Sequence, residues 1–161
     1  PLLAVLNKYN SANANKLRLN IYGSCSSDIR ELIDSSEEVR YFGTRPFAEL
    51  LSIMHSENNA LIFIANKSGN QIPGKLFDYL GTNSPIMAIV EDKDDPVAEF
   101  VKSLNRCFVA ENNTASILSV IKDLLRYPDK HSLESMNDFS PENVARKLLN
   151  VVSEEKEETR S

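Results

Sequence analysis

Short runs rich in Val, Ile, Tyr and Phe alternate with amphipathic segments along this chain of 161 residues. Five such runs occur, at residues 17–23, 39–43, 60–65, 85–90 and 106–110. Three of them are almost wholly apolar, which is typical of strands covered on both faces. Strict alternation of strands and helices favours a parallel sheet with right-handed crossovers. The pattern therefore predicts an α/β fold with a doubly wound, Rossmann-like sheet.

Prolines and capping residues predict where the intervening helices begin. The helix predicted at 45–55 has Pro46 at its first position, and the helix at 95–105 is capped by Asp95 and starts with Pro96. Both are expected to bury an apolar stripe, made of Phe47, Leu50, Leu51 and Met54 in the first and of Val97, Phe100, Val101 and Leu104 in the second.

Three further helices are predicted at 26–36, 114–127 and 140–152. The apolar face of the first comprises Ile29, Leu32 and Ile33. We expect one domain over residues 1–139, followed by a closing helix and a solvated acidic tail over residues 140–161.

Charge, cysteine usage and length exclude several classes of protein. The net charge is −5 and no Lys/Arg cluster occurs, which argues against nucleic-acid binding through a basic face. No apolar run approaches the ~20 residues that span a bilayer. Cys25 and Cys107 lack a metal-ligand spacing, so we expect reduced thiols, a cytoplasmic location and no metal.

No catalytic residue can be assigned from the sequence. His55 and His131 are predicted to be surface residues, and no serine lies in a GxSxG elbow.

Residues 1–10 read as a helix, whereas a Rossmann-like unit opens with a strand. We therefore expect the first strand of the unit to lie upstream of Pro1. A sheet that lacks one strand has exposed edges, and such edges favour pairing with another chain. The sequence therefore predicts a homodimer.

The loop at 66–75 has the parts of an anion site at the carboxyl end of a strand. It matches neither GxGxxG nor GxxxxGK[ST], which argues against dinucleotide and P-loop binding. It is polar and glycine-bearing, and it leads into a helix whose N-terminal amides and dipole favour phosphate. The alternative is a plain connection between a strand and a helix.

A helix that begins near Gly74 places Lys75 and Asp78 on one face and buries Leu76 and Leu80. A lysine at the mouth of such a site can neutralise phosphate, and a carboxylate one turn deeper can accept two hydrogen bonds from a sugar diol. The alternative is that the two side chains form an ordinary exposed ion pair.

The order of these segments resembles a known family. Residues 17–110, and above all "PGKLFDYLG" followed by "PI", resemble the C-terminal, donor-binding domain of GT-B glycosyltransferases, specifically the retaining group 1 enzymes that build bacterial polysaccharides. The segment "SPENVARKLLNVV" resembles the closing helix of that family. The resemblance implies a Rossmann-like half of a two-domain enzyme whose N-terminal, acceptor-binding domain is absent from this chain.

The resemblance also implies roles for individual residues. Asp78 falls where the family binds the ribose hydroxyls with a glutamate. Asn70 stands where a second glutamate of the family contacts the donor sugar. The remaining implied contacts are Gln71, Ile72, Gly74 and Lys75 for the diphosphate, Gly43, Thr44 and Arg45 for the base, and Asn66, Lys67 and Ser68, with Asn70, for the donor sugar.

The implied activity is transfer of a sugar from a nucleotide diphosphate donor, such as a UDP- or GDP-sugar, to a saccharide or lipid-linked acceptor. No cofactor is implied. We expect this chain alone to bind a nucleotide and to transfer nothing, and we expect the longer enzyme at the inner face of the membrane. The alternatives are half of a nucleotide-sugar epimerase and a non-catalytic α/β interaction module.

Overall fold

The computed structural model describes residues 1–56, 60–65, 72–82, 84–92 and 94–126. In this part of the chain six helices and five strands alternate, as the sequence predicts. In chain order they are α1 (Leu2–Ala12), β1 (Leu19–Ile21), α2 (Ser27–Asp34), β2 (Val39–Tyr41), α3 (Phe47–Met54), β3 (Leu61–Ile64), α4 (Gly74–Leu80), β4 (Ile86–Val90), α5 (Pro96–Lys102), β5 (Cys107–Glu111) and α6 (Thr114–Leu124). The predicted helix at 140–152, the domain boundary at 139 and His131 lie outside the described residues.

Each strand is parallel to its paired neighbours, and the strands form two sheets. β1 pairs with β2, with Leu19 opposite Val39. The second sheet has the order β3–β4–β5, with Leu61 opposite Ile86 and Ile86 opposite Cys107. The predicted α/β class with parallel strands is therefore confirmed. Within the described ranges no ladder joins β1 to β3.

β4 lies at the centre of the three-stranded sheet and is buried along its whole length. Its sequence, IMAIV, is apolar at every position because both of its faces are covered. A core cluster that includes α1 and α6 packs against alternate residues of this strand. The buried members of the cluster are Val5, Leu6, Met87, Ile89, Ala110, Ile117, Val120 and Ile121. Each aliphatic side chain larger than alanine contributes about 1.5–3 kcal/mol when it is fully buried.

α4 and α5 contribute a further part of the core. Their predicted apolar positions are confirmed at four buried residues, Leu76, Leu80, Val97 and Val101. Phe100 and Leu104, which were predicted to be buried with them, are half-buried. The rings of Phe77 and Phe100 lie 5.7 Å apart, centroid to centroid, and bring the two helices together.

α2 and α3 are packed less completely than the sequence predicts. Ile33 is buried, whereas Ile29 and Leu32 are 51% and 55% exposed. Phe47 is 57% exposed, and no residue of α3 is fully buried. The prediction that Phe47 lies on an inner stripe is wrong, because α3 has no extensive contact with any other described element that would cover its apolar side. α3 also begins at Phe47, so Pro46 is its N-cap rather than its first residue.

The N-termini of α5 and α6 are capped by side chains. Asp95 Oδ1 accepts a hydrogen bond from the Val97 amide at 2.8 Å, and Pro96 is the first residue of α5, as predicted. Asn113 Oδ1 accepts from the Ser116 amide at 2.9 Å. None of the helices in the described ranges combines the length and the apolar character needed to cross a bilayer.

Arg106 is a buried cation, 1% exposed, between α5 and β5. Its Nη1 donates to the Ser84 carbonyl oxygen at 2.9 Å, and its Nη2 donates to the carbonyl oxygen of Leu80, the last residue of α4. A cation is favourable at a helix C-terminus, where carbonyl groups lack intrahelical partners. Arg106 therefore holds the turn between α4 and β4 against the start of β5.

Candidate functional site

The loops that follow β1 and β2 are joined at two glycines. Gly23 and Gly43 have φ angles of 114° and 67°, in the region that favours glycine. The Gly23 amide donates to the Gly43 carbonyl oxygen at 2.9 Å. A Cβ at either position would meet no atom within 4 Å, so the backbone there faces open space. At the carboxyl ends of these two strands, where a parallel sheet binds ligands, the Cβ side of each glycine is therefore open.

Two aromatic side chains flank this glycine pair, and the sequence reading did not assign them a role. Tyr22 and Phe42 stack with ring centroids 4.9 Å apart and ring planes at 11°. The signal was present in the sequence, since each aromatic residue directly precedes a glycine at the end of a strand run. The parallel register of β1 and β2 brings the two dipeptides side by side. A flat, half-buried ring pair therefore lies next to the predicted base segment.

A second set of contacts orients the loop after β1. Tyr41 Oη donates to the Gly23 carbonyl oxygen at 2.6 Å, and the Arg30 guanidinium lies 4.4 Å from the centroid of the Tyr41 ring. The pKa of Tyr41 is raised above its usual value, mainly by a hydrogen bond with Cys25. The hydrogen bonds that Arg30 donates to Asp34 raise the pKa of the guanidinium. These contacts hold the glycine loop from the side of α2.

The predicted base segment, Gly43, Thr44 and Arg45, lies directly after β2. Thr44 and Arg45 are exposed. The Arg45 guanidinium is 3.9 Å from a carboxylate oxygen of Glu49, one turn further into α3. Because this pairing draws the side chain along the helix, the backbone of the segment remains the part that is open to a ligand.

The predicted ribose and diphosphate residues lie on α4 and just before it. α4 begins at Gly74, as predicted, and buries Leu76 and Leu80. This anchoring leaves Lys75 and Asp78 exposed. The predicted alternative of an ion pair between them is not found in the described part of the chain, where neither charged group has a hydrogen-bonding or ionic partner.

Several predicted contacts lie outside the described residues. These are Asn66, Lys67, Ser68, Asn70 and Gln71. Ile72 is described and half-buried. The base segment follows β2, in the two-stranded sheet, and α4 follows β3, in the three-stranded sheet.

A groove of about 520 Å³ runs between α1 and α6, and it contains none of the predicted site residues. Its cationic lining comes from Lys8 of α1 and from Lys122 and Arg126 at the C-terminal end of α6. Lys122 lies in the last turn of α6, where a cation complements the helix dipole. In the ranges that the structure describes, no group of three or more His, Cys, Asp or Glu residues is placed to hold a metal ion, and Cys25 and Cys107 are not joined to each other.

Comparison with protein-family models and with curated protein sequences finds no match to this chain.

Proposed function

We propose that this chain is the donor-binding domain of a glycosyltransferase and binds a nucleotide diphosphate sugar. The observation that carries the proposal is the setting of Asp78. Its carboxylate is exposed and has no partner among the described residues, and it stands on a short helix anchored by Leu76 and Leu80. A free carboxylate at a fixed position accepts both hydroxyls of a ribose diol, and charge-assisted hydrogen bonds of this kind are strong.

The segment after β2 provides the contacts to the base. A nucleobase presents donors and acceptors along a planar edge, and the Gly43 amide with the exposed backbone of Thr44 and Arg45 offers complementary groups. The stacked rings of Tyr22 and Phe42 add an aromatic surface beside that backbone. In this proposal, base selectivity comes from main-chain groups rather than from a charged side chain.

The diphosphate interacts with the segment that leads into α4. The amides of Gly74 and Lys75 have no backbone acceptor in the described ranges, and the Lys75 ammonium group is exposed. Ile72 and Gln71 provide further amides, and Pro73, which lacks an N–H group, provides none. In this proposal, the Lys75 ammonium group offsets part of the charge of the diphosphate.

The loop with Asn66, Lys67, Ser68 and Asn70 faces the donor sugar in this proposal. Asn70 offers an amide where a glutamate is expected, so sugar hydroxyls meet both a donor and an acceptor there. Transfer proceeds in a longer enzyme that also supplies the acceptor site. Catalysis then rests on electrostatic stabilisation of the leaving diphosphate, and domain closure excludes water.

Calorimetry with UDP and GDP tests the proposal. For the nucleotide that binds more tightly, we expect Asp78→Ala to weaken binding by about tenfold or more, since a hydrogen bond to a charged group contributes about 1.5–3 kcal/mol. Asp123→Ala, which removes another exposed helical aspartate, is the matched control and should leave binding unchanged.

The 2′-deoxy form of the same nucleotide provides a double-mutant cycle with Asp78→Ala. If Asp78 binds the ribose, removal of the 2′-hydroxyl and the Asp78→Ala substitution each weaken binding. The loss of binding free energy when both are made is then smaller than the sum of the two separate losses. Additive losses would remove Asp78 from the ribose site. Absence of binding by every nucleotide to a folded chain would overturn the proposed function.

A further inference from the structure

A buried polar junction lies beside the turn between α4 and β4, and it consists of Ser84 and Arg106. Arg106 donates hydrogen bonds to the carbonyl oxygens of Ser84 and of Leu80, the last residue of α4. The Ser84 hydroxyl donates in turn to the carbonyl oxygen of Met54, the last residue of α3. The C-terminal ends of two helices that are distant in sequence therefore meet at one junction.

The hydrogen bond from Ser84 matters most for α3, because little apolar packing orients that helix. None of its residues is fully buried, and it has no extensive contact with another described element. The last carbonyl groups of a helix lack partners within the helix, so a buried hydroxyl that donates to one of them fixes the helix end. The Ser84 hydroxyl is therefore a specific link between α3 and the turn that leads into the three-stranded sheet.

Arg106 is a costly residue to bury beside this turn. Its Nε atom is buried and has no hydrogen-bond partner in the part of the chain that the structure describes. Burial of a cation costs free energy that an apolar side chain of similar size avoids. An apolar side chain cannot provide the two hydrogen bonds that hold the end of α4 and the Ser84 carbonyl group in one arrangement. The chemistry of the residue therefore favours a positioning role over a purely stabilising one.

The junction and the two predicted parts of the ligand site lie at opposite ends of the same helices. α3 begins just after the base segment, and α4 begins just after the segment predicted to bind the diphosphate. A helix of eight residues is about 12 Å long, so a rotation of ~10° about its C-terminal end moves its N-terminal end by roughly 2 Å. A displacement of this size exceeds the range of distances over which a hydrogen bond forms.

We propose that Ser84 and Arg106 are positioning residues, which set the orientation of the base segment relative to α4 and so allow one nucleotide to contact both. In the proposed function, on which this role depends, the base binds after β2 and the ribose and diphosphate bind at α4. Both residues act at a distance from the ligand. Ser84 acts through α3, and Arg106 acts through the turn and the end of α4.

Three variants of the full chain separate this role from general stability. Ser84→Ala removes the hydrogen bond to α3 and keeps the main-chain carbonyl oxygen that Arg106 holds. Thr82→Val is the matched control, because it removes a buried hydroxyl whose bonds to Tyr79 and Ser84 stay within α4 and the same turn. Arg106→Met removes both guanidinium bonds and keeps a long apolar side chain.

Residual dipolar couplings of the backbone amides measure the orientation of each helix. In the wild type, the couplings of α3 should fit the alignment obtained from α4 and the three-stranded sheet. Ser84→Ala should make the α3 couplings depart from that alignment, whereas Thr82→Val should lower stability and leave them unchanged. Arg106→Met should change the couplings of α4 relative to the sheet.

Calorimetry measures the consequence for the ligand, at a temperature where every variant is folded. Ser84→Ala should weaken the binding of UDP or GDP about three- to tenfold, which corresponds to the contribution of one neutral hydrogen bond. Pyrophosphate contacts only the α4 side of the proposed site, so its affinity should be the same for the wild type and for Ser84→Ala. A general loss of structure would weaken both ligands.

A reoriented α3 together with a selective loss of nucleotide affinity supports the positioning role, and Ser84→Ala decides alone if Arg106→Met does not fold. Unchanged α3 couplings in Ser84→Ala would overturn the role. Unchanged nucleotide affinity, equal losses for nucleotide and pyrophosphate, or equal losses in Ser84→Ala and Thr82→Val would overturn it as well. Absence of UDP and GDP binding by the wild-type chain would overturn the proposed function and the ligand role of the junction together, and the couplings would still show whether Ser84 orients α3.

Discussion

The Gly23 amide donates to the Gly43 carbonyl oxygen at 2.9 Å, between two residues that both have positive φ. This bond joins the loops that follow β1 and β2, one residue out of the register of the two strands. It positions the two loops next to the stacked rings of Tyr22 and Phe42. The glycine pair therefore links the local backbone conformation to the shape of the candidate site.

Substitution of the two glycines should reveal backbone strain without steric clash, because a Cβ at either position has open space around it. Gly43→Ala should lower the free energy of unfolding by about 1 kcal/mol, and Gly43→Asn by less, since asparagine tolerates a φ near 67°. Gly23→Ala should cost more, because a φ of 114° lies outside the left-handed helical region. Urea denaturation measures all three variants, and equal stability of Gly23→Ala and wild type would contradict the assigned conformation.

Arg106 should be a strong determinant of stability, although it is charged. Arg106→Ala removes two hydrogen bonds to the carbonyl oxygens of Leu80 and Ser84 and leaves a cavity, so we expect a loss of about 3 kcal/mol or more. Arg106→Met fills most of the volume and should lose less. Denaturant unfolding with an unchanged m-value measures the difference, and a neutral Arg106→Ala would show that the two bonds do not stabilise the turn.

Lys75 should act on the phosphates and not on the nucleoside. If its ammonium group offsets the charge of the diphosphate, Lys75→Ala should weaken UDP or GDP binding several-fold and make that binding less dependent on salt. Binding of the corresponding nucleoside should not change. Lys122→Ala, which removes an exposed lysine from α6, is the control. A loss of affinity that is equal for nucleotide and nucleoside would assign Lys75 to a structural role.

Tyr79 should make the fold sensitive to alkaline pH. Burial raises the pKa of its phenol above the usual value, and the neighbouring Asp78 carboxylate raises it further. Because the folded-state pKa is the higher one, this contribution to stability is complete below about pH 10 and decreases as pH rises through the folded-state pKa. Tyr79→Phe should flatten the alkaline part of the stability profile, and Asp78→Asn should reduce the shift. A profile unchanged by Tyr79→Phe would contradict this assignment.

Asp95 should stabilise α5 through its side-chain oxygen. Asp95→Ala removes the hydrogen bond from the Val97 amide and should cost about 1 kcal/mol, whereas Asp95→Asn keeps an acceptor and should cost little. Thermal unfolding of both variants checks the difference. Equal losses in the two variants would indicate that the negative charge, and not the cap, is responsible.

Local patterns in the sequence were sufficient to predict the alternation of elements and several of their ends. The apolar run of β4, the cap at Asp95 and the buried pair Leu76 and Leu80 follow from hydrophobic period and from capping chemistry, which depend on residues close together in the chain. The same local reasoning left Lys75 and Asp78 exposed on one helix, where the structure places them.

Only the tertiary structure decided which helices and strands pack against one another. The division into two sheets, the burial of Arg106 and the exposure of Phe47 depend on which distant residues cover each other. The stacking of Tyr22 on Phe42 likewise requires the register of two strands separated in sequence. The hydrophobic period of a segment shows that one of its faces is apolar. It does not show how much surface of other elements is available to cover that face. β2 is too short to bury the apolar face of α2, and α3 has no extensive contact with any other described element, which only the assembled fold reveals.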